Sequence, residues 1–387
     1  MLKATSSAVR TFSVPAAESV VYGAGALDEL VVDAAARRVA VVRSRFLAGS
    51  SIDRSMETLL GDRLVGTLDS VPQHVPLGPA LELASRLRQL DVDCVVSIGG
   101  GTTIDCTKAV ALFLAAGIRD RAEFANYVER RQRLREPVRH IAVPTTLSGA
   151  EHTSLIGITN EATGEKLILD DAALTPRSVV LDPTVTVGTP RELWMSSGIR
   201  AVDHAVEGML SARATPFSDA LGLEALRLLR SELPRTGGDD LDARLACMMG
   251  TWLAIFALPN AGVGLSHGIG HQLAAEYGIL HGVTSAIMLP LVMEFGAAHS
   301  VRPLRRIAAA LGADVSAYDD ARAARAAADC VRSLVAEVGV PARLGELGVN
   351  RERLPSVAAN VMRDPSIAAS PRPVTLDDIL ELLNRAW

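Results

Sequence analysis

The stretch Cys94-Val95-Val96-Ser97-Ile98-Gly99-Gly100-Gly101-Thr102-Thr103-Ile104 decides the fold. An apolar run suited to a buried strand meets three glycines, and a helical pattern takes over from Ile104 to Leu114. Glycines let backbone N–H groups approach an anion, and the helix N-terminus behind them adds partial positive charge. A pyrophosphate is the expected guest. A purely structural turn and a P-loop share this outline, but no Gly-Lys-Ser/Thr follows, which speaks against the P-loop.

Outward from the turn the alternation repeats. Residues 39–42 and 63–68 read as strands, the second followed by a leucine-spaced helix at 77–90, and 140–143 and 179–181 read as further buried strands. That is the texture of a parallel sheet with helices on both faces. Between them, 151–169 carries β-branched residues around the turn signal Thr163-Gly164 and reads as a hairpin. A second polar turn, Pro144-Thr145-Thr146-Leu147-Ser148-Gly149-Ala150-Glu151, follows the strand at 140–143. In an open parallel sheet the C-terminal strand ends line one crevice, so the two turns belong together. Past Pro190 the β-rich runs give way to Ala/Leu/Arg stretches of helical spacing at 218–233, 243–256 and 303–310. The expected division is a Rossmann-like α/β dinucleotide-binding domain at 1–187 and an all-helical catalytic domain at 188–387.

Two domains also suit a chain of 387 residues, too long for one comfortable core. With 49% hydrophobic and 21% charged residues the chain has the makings of large cores. A net charge of −5 provides no basic field for phosphate backbones or anionic lipid, so neither nucleic acid nor membrane is an expected partner. Cys94, Cys106, Cys247 and Cys330 show no CxxC pair and read as buried free thiols. Residues 1–15 lack the apolar core of a signal peptide, and no stretch reads as a membrane span, so a cytoplasmic location is expected.

Four of the eight histidines gather in the helical half. Arg200 and His204 are four apart and share a helix face; His267 and His271 repeat that spacing, and His281 follows in a loop. Imidazoles on two helices and a loop are material for a metal site or an acid/base site. Each alone reads as a hydrogen-bonded structural residue; the clustering argues otherwise. His74, His140, His152 and His299 lie outside the patches and read as structural.

These residues carry a likeness. The Gly99-Gly100-Gly101 turn with Asp105 and Lys108, Pro144-Thr145-Thr146, Pro176, Asp182-Pro183, the Gly198, His204-Ala205 and Glu207 helix, and His267, His271 and His281-Gly282 resemble the iron-containing alcohol dehydrogenases in order and spacing. The likeness runs from Tyr22-Gly23-Ala24-Gly25 to Pro371-Arg372-Pro373. Within that superfamily the chain is most similar to the maleylacetate reductase branch, through Val71-Pro72-Gln73-His74-Val75-Pro76, the Thr145 to Glu151 turn, and His281-Gly282-Val283-Thr284-Ser285-Ala286. The resemblance implies a dehydroquinate synthase-like architecture and an NAD(P)-dependent oxidoreductase, expected as a homodimer. It assigns the cofactor to Gly99, Gly100, Gly101, Thr102, Asp105, Thr145, Thr146, Ser148, Lys166 and Ser44.

One departure outweighs the agreements. Metal-dependent members bind Fe²⁺ or Zn²⁺ with an Asp and three histidines; the histidines match His204, His267 and His281, but the Asp position is Arg200. A guanidinium about 4 Å from a divalent ion is repelled by roughly 8 kcal/mol at an effective dielectric of about 20. A tight metal site is worth on the order of 10–16 kcal/mol, so repulsion plus the lost carboxylate removes it. Asp203 is a conceivable substitute ligand, but one helix step turns it about 100° from His204. Bound metal is therefore not expected.

The expected reaction is hydride transfer between NAD(P)H and a small carboxylate-bearing substrate, with Arg200 clamping the carboxylate and His204, His267, His271 or His281 moving the proton, His271 foremost. Alternatively Arg200 pairs with Glu207 or Asp203 for stability. NAD-preferring members often carry Asp where this chain has Ser44, flanked by Arg43 and Arg45, so NADPH is expected to serve at least as well as NADH. Three other readings share the motifs: a hydroxy-acid dehydrogenase whose β-keto product, for example from a C-terminal threonine, loses CO₂; a metal-dependent alcohol dehydrogenase; and a silent homologue.

Overall fold

The computed structural model describes residues 17–30, 36–130, 134, 136–162, 164–256 and 258–387. Thr163, half of the expected hairpin turn, and residues 1–15 lie outside these. Six strands form one parallel sheet: β1 Ser19–Tyr22, β2 Val39–Arg43, β3 Leu64–Asp69, β4 Cys94–Gly99, β5 Arg139–Pro144 and, after the hairpin, β8 Ser178–Leu181. Their order is β1-β8-β5-β4-β2-β3, with β4 central. The hairpin pairs β6 Leu155–Asn160 with β7 Glu165–Asp170, antiparallel and apart from the main sheet.

All six residues of β4 are buried because both faces are covered. Alternation sorts the side chains. Val95, Ala40 and Val42 pack under α2 Leu77–Gln89 and α3 Gly101–Ala115, while Cys94, Val96, Ile98, Val39 and Val41 pack with Met56 and Leu60 of α1 Ser51–Leu60. Helix α4 Arg121–Arg130 adds Phe124, edge-on to Phe113 at 5.6 Å. Asp182, after β8, accepts N–H groups of Leu27 and Thr184, both at 2.9 Å, so the Asp182-Pro183 motif ties the N-terminal segment to the sheet.

Beyond β8 the chain is helical. The long α5 Arg191–Leu210 is followed by α6 Pro216–Glu232, α7 Leu241–Phe256, α8 Leu258–Ala261, α9 Leu265–Tyr277 and α10 His281–Phe295. Then come α11 Val301–Ala310, α12 Asp320–Val338, α13 Leu354–Val361 and α14 Leu376–Ala386. A capping box of Thr215 and Ser218 starts α6 and another of Thr375 and Asp378 starts α14, both at apolar-faced helices. Helix α5 is buried from Trp194 onward except at Arg200, since α6, α7 and α10 pack around it.

Two sequence expectations are corrected here. Contrary to the reading that no stretch suits a membrane span, Leu241–Ala261 is long and apolar enough by length and composition, and about half of its most apolar window is buried in the fold. Its Cys247 and Met248 belong to the helical core. Cys94, Cys106 and Cys247 are buried thiols as read, but Cys330 is only half-buried.

Candidate active site

The sheet ends in a row of adjacent turns. Ser44 N–H donates to Ile98 O at 2.9 Å, Ser70 N–H to Arg43 O at 2.8 Å and Thr145 N–H to Gly99 O at 2.9 Å, so the exits of β2, β3, β4 and β5 are stitched level. Helix α3 starts at Gly101 with no acidic side chain in its first turn. Gly100, Gly101, Thr102, Thr103, Asp105, Thr146 and Ser148 line a cleft of about 1660 Å³ that also reaches the helical half. A Cβ on Gly101 would lie 2.9 Å from Ser148 Oγ, and one on Gly99 would collide with Ser44 Oγ. The glycines let the polar turns touch and leave the helix N-terminus facing the cleft, which fits a pyrophosphate.

Two expected cofactor contacts do not reach that surface. Gly99 is buried below the turn, and Thr145 is fully buried, its carbonyl accepting from Thr189 Oγ1 at 2.8 Å. Both hold the turns together. The Ser44 hydroxyl lines the cleft and meets Thr103 Oγ1 at 2.9 Å. The two flanking arginines part company: Arg43 is paired with Asp53 and, at 3.1 Å, with Asp69, whereas Arg45 is exposed on the cleft with no ion pair among the described residues. The supposed pair of free arginines is one.

The second turn is held from beneath by Lys108. Its Nζ donates to Ala150 O at 2.6 Å, Leu155 O at 3.1 Å and Thr153 Oγ1 at 3.2 Å, joining turn and hairpin. Burial lowers the Lys108 ammonium against the opposing charge of Asp105, and burial raises Asp105 against Lys108. Glu151, behind the turn, is pushed up by burial to about 7. Lys166, from β7, lines the cleft; burial lowers it and Asp105 opposes that.

Across the cleft, α5 presents Arg200, Asp203, His204 and Glu207 at i, i+3, i+4 and i+7, one helix face. Glu207 accepts the N–H groups of Gly264 and Ser266 at 2.7 Å and His267 Nδ1–H at 2.7 Å, docking the start of α9. Asp203, fully buried, accepts from Ser285 Oγ at 2.5 Å and Ser266 Oγ at 2.9 Å. Burial raises both carboxyls; Glu207 raises Asp203 further, and the backbone donors oppose the rise at Glu207. Helix α10 crosses α5 so closely that a Cβ on Gly282 would collide with Ser196 O. That crossing brings His281 beside α5, and His281 is the first residue of α10, not part of a loop.

Arg200 is largely buried and lines the cleft, 12% of its side chain exposed. Nη1 donates to Ser285 Oγ at 2.9 Å and lies 3.6 Å from Asp203 Oδ2, so the anchoring foreseen through Asp203 exists but takes one edge of the guanidinium. The histidine rings run in series: His204 to His267 at 4.9 Å, His267 to His271 at 6.3 Å, His271 to His281 at 5.9 Å and His281 to His74 at 5.7 Å. His74 therefore belongs to the site, against the sequence reading. Its φ of 67° and that of Val75 at 48° are left-handed, held by Thr159 N–H and Oγ1 on the carbonyls of Val75 and His74. His140 and His152 are buried elsewhere, as expected.

Burial holds His204, His267 and His281 well below the usual imidazole range, and the Arg200 cation adds to that. His271 is lowered less simply: burial lowers it, and the hydrogen bond between its Nδ1 and Asp364 Oδ2, 2.9 Å, opposes. Among the described residues, the ligating atoms that lie within 4.8 Å of one another belong to Asp203, Glu207 and His267. That trio is cross-bonded to Ser266, Ser285 and backbone N–H groups. The nitrogens of His204, His267 and His281 do not converge to that distance, and a guanidinium stands beside them.

Sequence reasoning missed Asp364, Gln272, Ser285 and the supporting role of Lys108. Asp364 lies 93 residues from His271 and carries no periodic signal.

Comparison with known proteins gives a consistent picture. The family described as "Iron-containing alcohol dehydrogenase" matches residues 17–183, and "Fe-containing alcohol dehydrogenase family, C-terminal" matches residues 194–387. An NAD-dependent methanol dehydrogenase of Bacillus methanolicus is 31% identical over 97% of this chain and 99% of its own. A maleylacetate reductase of Burkholderia cepacia is 31% identical over 95% of each chain. The crystal structure of a maleylacetate reductase from Agrobacterium tumefaciens superposes with a TM-score of 0.80 at 26% identity, covering 98% of this chain and 99% of that one. Equal identity to a methanol dehydrogenase and a maleylacetate reductase leaves the choice of substrate to the site residues.

Proposed function

The chain belongs to the iron-containing alcohol dehydrogenase family and is an NAD(P)-dependent oxidoreductase, and on that premise we propose that it acts without metal on a small carboxylate-bearing oxo or hydroxy compound. The observation that carries this reading is Arg200: a cation on the cleft wall, one edge held by Ser285, beside three imidazoles that burial keeps neutral. A cation there repels a divalent ion and attracts a carboxylate.

NAD(P)H, when bound, supplies the hydride. Gly100, Gly101 and Thr102 bind its pyrophosphate through the start of α3, and Thr146 and Ser148 close the other side. The exposed edge of Arg200 takes the substrate carboxylate and orients the neighbouring carbonyl. His271 gives a proton to the carbonyl oxygen during reduction and recovers it during oxidation, because its carboxylate partner Asp364 itself lines the cleft, whereas Glu207, the partner of His267, is buried behind it. His74 and Lys166 face the same space and shape it. Arg45 is the group that meets a 2′-phosphate, so acceptance of NADPH rests on it and not on Arg43. The division at 187/188 separates the cofactor-binding part from the part that carries Arg200, His204, His267, His271 and His281.

The test is steady-state turnover of NADPH and NADH against 2-oxo and 3-oxo acids, each paired with its neutral amide, with elemental analysis of the same sample. Preference for the acids and unchanged activity after chelation are expected. Near-stoichiometric iron or zinc with loss of activity on chelation refutes the metal-free reading, and equal turnover of acids and amides refutes the carboxylate.

A further inference from the structure

Asp364 meets the cleft beside His271. Its two oxygens have separate partners. Oδ1 accepts the backbone N–H of Ser366 at 2.9 Å and so caps the short turn Pro365–Ala369. Oδ2 faces His271 Nδ1 at 2.9 Å, with Gln272 Nε2 at 3.5 Å. The carboxylate side chain is 7% exposed and that of His271 is 28% exposed, so the pair is buried on one side and open to the cleft on the other. Burial works to raise Asp364, but the hydrogen bonds from His271 and Ser366 outweigh it and bring the carboxyl down to about 2. An ionised carboxylate only accepts, which places the ring proton on Nδ1 and leaves Nε2 for the cleft.

We infer that Asp364 is a positioning residue of the reaction: through Oδ2 it fixes His271 in the Nδ1–H tautomer and so keeps Nε2 as the atom that exchanges the proton with the substrate oxygen. In reduction the imidazolium Nε2–H bond breaks and the proton joins the oxygen as hydride reaches the carbonyl carbon. Alcohol, NAD(P)⁺ and a neutral Nδ1–H imidazole remain. In oxidation the free Nε2 lone pair takes the hydroxyl proton. None of the other three histidines combines these features. The Nδ1 atoms of His204 and His281 are buried without a partner, and His267 has Nδ1 on Glu207 but a buried, unpartnered Nε2. The groups that face His271 besides Asp364 are His267, His281, Arg200 and Lys166, and none of these is an acceptor carboxylate.

The structure sets the outcome expected of Asp364→Asn, the shorter Ser366 bond deciding over the longer one from Gln272. The Ser366 N–H demands an acceptor at the Oδ1 position, so the asparagine oxygen goes there and its NH₂ is turned toward His271 Nδ1. The amide then donates where the carboxylate accepted, which drives His271 into the Nε2–H tautomer. That tautomer has no lone pair on Nε2 and no anion to support the imidazolium. Loss of general acid–base catalysis lowers kcat on the order of 10²-fold or more. Cofactor Kd, read by quenching of NADPH fluorescence, stays within about twofold, because the hydrogen bonds of Asp364 go to His271, Gln272 and Ser366 and none to the glycine turn, so the effect is one on kcat.

The inference rests on the reading of His271 as proton donor, so the experiment separates the two. The holoenzyme labelled with ¹⁵N-histidine is compared by long-range ¹H–¹⁵N correlation as wild type, Asp364→Asn and His271→Asn, the last identifying the His271 signals. If His271→Asn keeps wild-type kcat, the donor reading fails. If it loses kcat, the inference requires both a switch of the His271 signals from Nδ1–H to Nε2–H in Asp364→Asn and the fall in kcat, with partial recovery in Asp364→Glu. A fall in kcat with an unchanged tautomer, or a switched tautomer with unchanged kcat, overturns it. Asp364→Ser keeps a cap and removes the partner; should the asparagine variant not fold, loss of the exclusive Nδ1–H form together with the fall in kcat is required of it, and an unchanged tautomer or an unchanged kcat overturns the inference.

Discussion

Replacing Arg200 by Ala tests the feature that sets this chain apart from metal-dependent relatives. In the structure Nη1 is committed to Ser285 Oγ at 2.9 Å, so the substrate carboxylate has one edge of the guanidinium to meet. A hydrogen bond to a charged group contributes about 1.5–3 kcal/mol, which is a loss of roughly 10- to 150-fold in kcat/KM. Because the carboxylate does not change during hydride transfer, the contact is equally present in ground and transition states and the loss is expected in KM more than in kcat. The fold should survive. Asp203, left without its cation, is buried and already raised, so it takes up a proton more readily and no bare charge is stranded. Stability then falls by about 1 kcal/mol for the lost Ser285 contact, readable as a small drop in melting temperature. The assay is the oxidation of NADPH with an oxo acid and with its amide. The acid is expected to lose at least tenfold in kcat/KM and the amide less than threefold, with Arg200→Lys between, since an ammonium keeps charge without the planar fork. Equal effects on acid and amide, or an unchanged KM for the acid, would refute the clamp.

Acid sensitivity follows from two histidines away from the cleft. His140, with Nε2 at 2.7 Å from Ser97 Oγ, and His152, stacked on Trp252 at 5.3 Å, are both pushed by burial, and next by Lys108, from 6.5 to about 3. Between those values the unfolded chain binds protons that the folded one refuses. Their contribution to stability is thus full above about pH 6.5 and falls toward pH 3, by roughly 1.4 kcal/mol per unit for each histidine. A fall in denaturant midpoint between about pH 7 and pH 5 that is no smaller in His152→Gln than in the wild type would contradict this, the paired comparison removing the opposite effect of the raised Glu151. Arg45→Glu is expected to lower kcat/KM with NADPH by about tenfold, the order of one lost ionic contact, and to spare NADH; an equal change with both cofactors would remove Arg45 from that role. Gly99→Ala should destabilise by about 1–3 kcal/mol and weaken cofactor binding, because its Cβ collides with Ser44 Oγ beneath the turn. Gly100→Ala, whose Cβ meets Thr146 Cγ2 at 3.0 Å, should cost less; the reverse order of melting temperatures would show the turn packed otherwise.

The sequence alone determined the local units. Apolar runs with β-branched residues became β2, β4, β5 and β8, the three glycines became the start of α3, and the spacing of Arg200 to His204 and of His267 to His271 put each pair on one helix face. Such features repeat over two to four residues and are governed by backbone geometry within the segment, so they are legible without a neighbour. The tertiary structure decided everything that depends on which segment arrives alongside. It buried Gly99 and Thr145 under the turn they were thought to expose, neutralised Arg43 with Asp53 and Asp69 while leaving Arg45 on the cleft, and carried His74 to within 5.7 Å of the His281 ring. It also set Asp364 on His271 across 93 residues of sequence. The physical reason is the same in each case: a hydrogen bond or ion pair is a matter of ångströms between side chains, and for residues on different elements that distance is set by packing and not by periodicity.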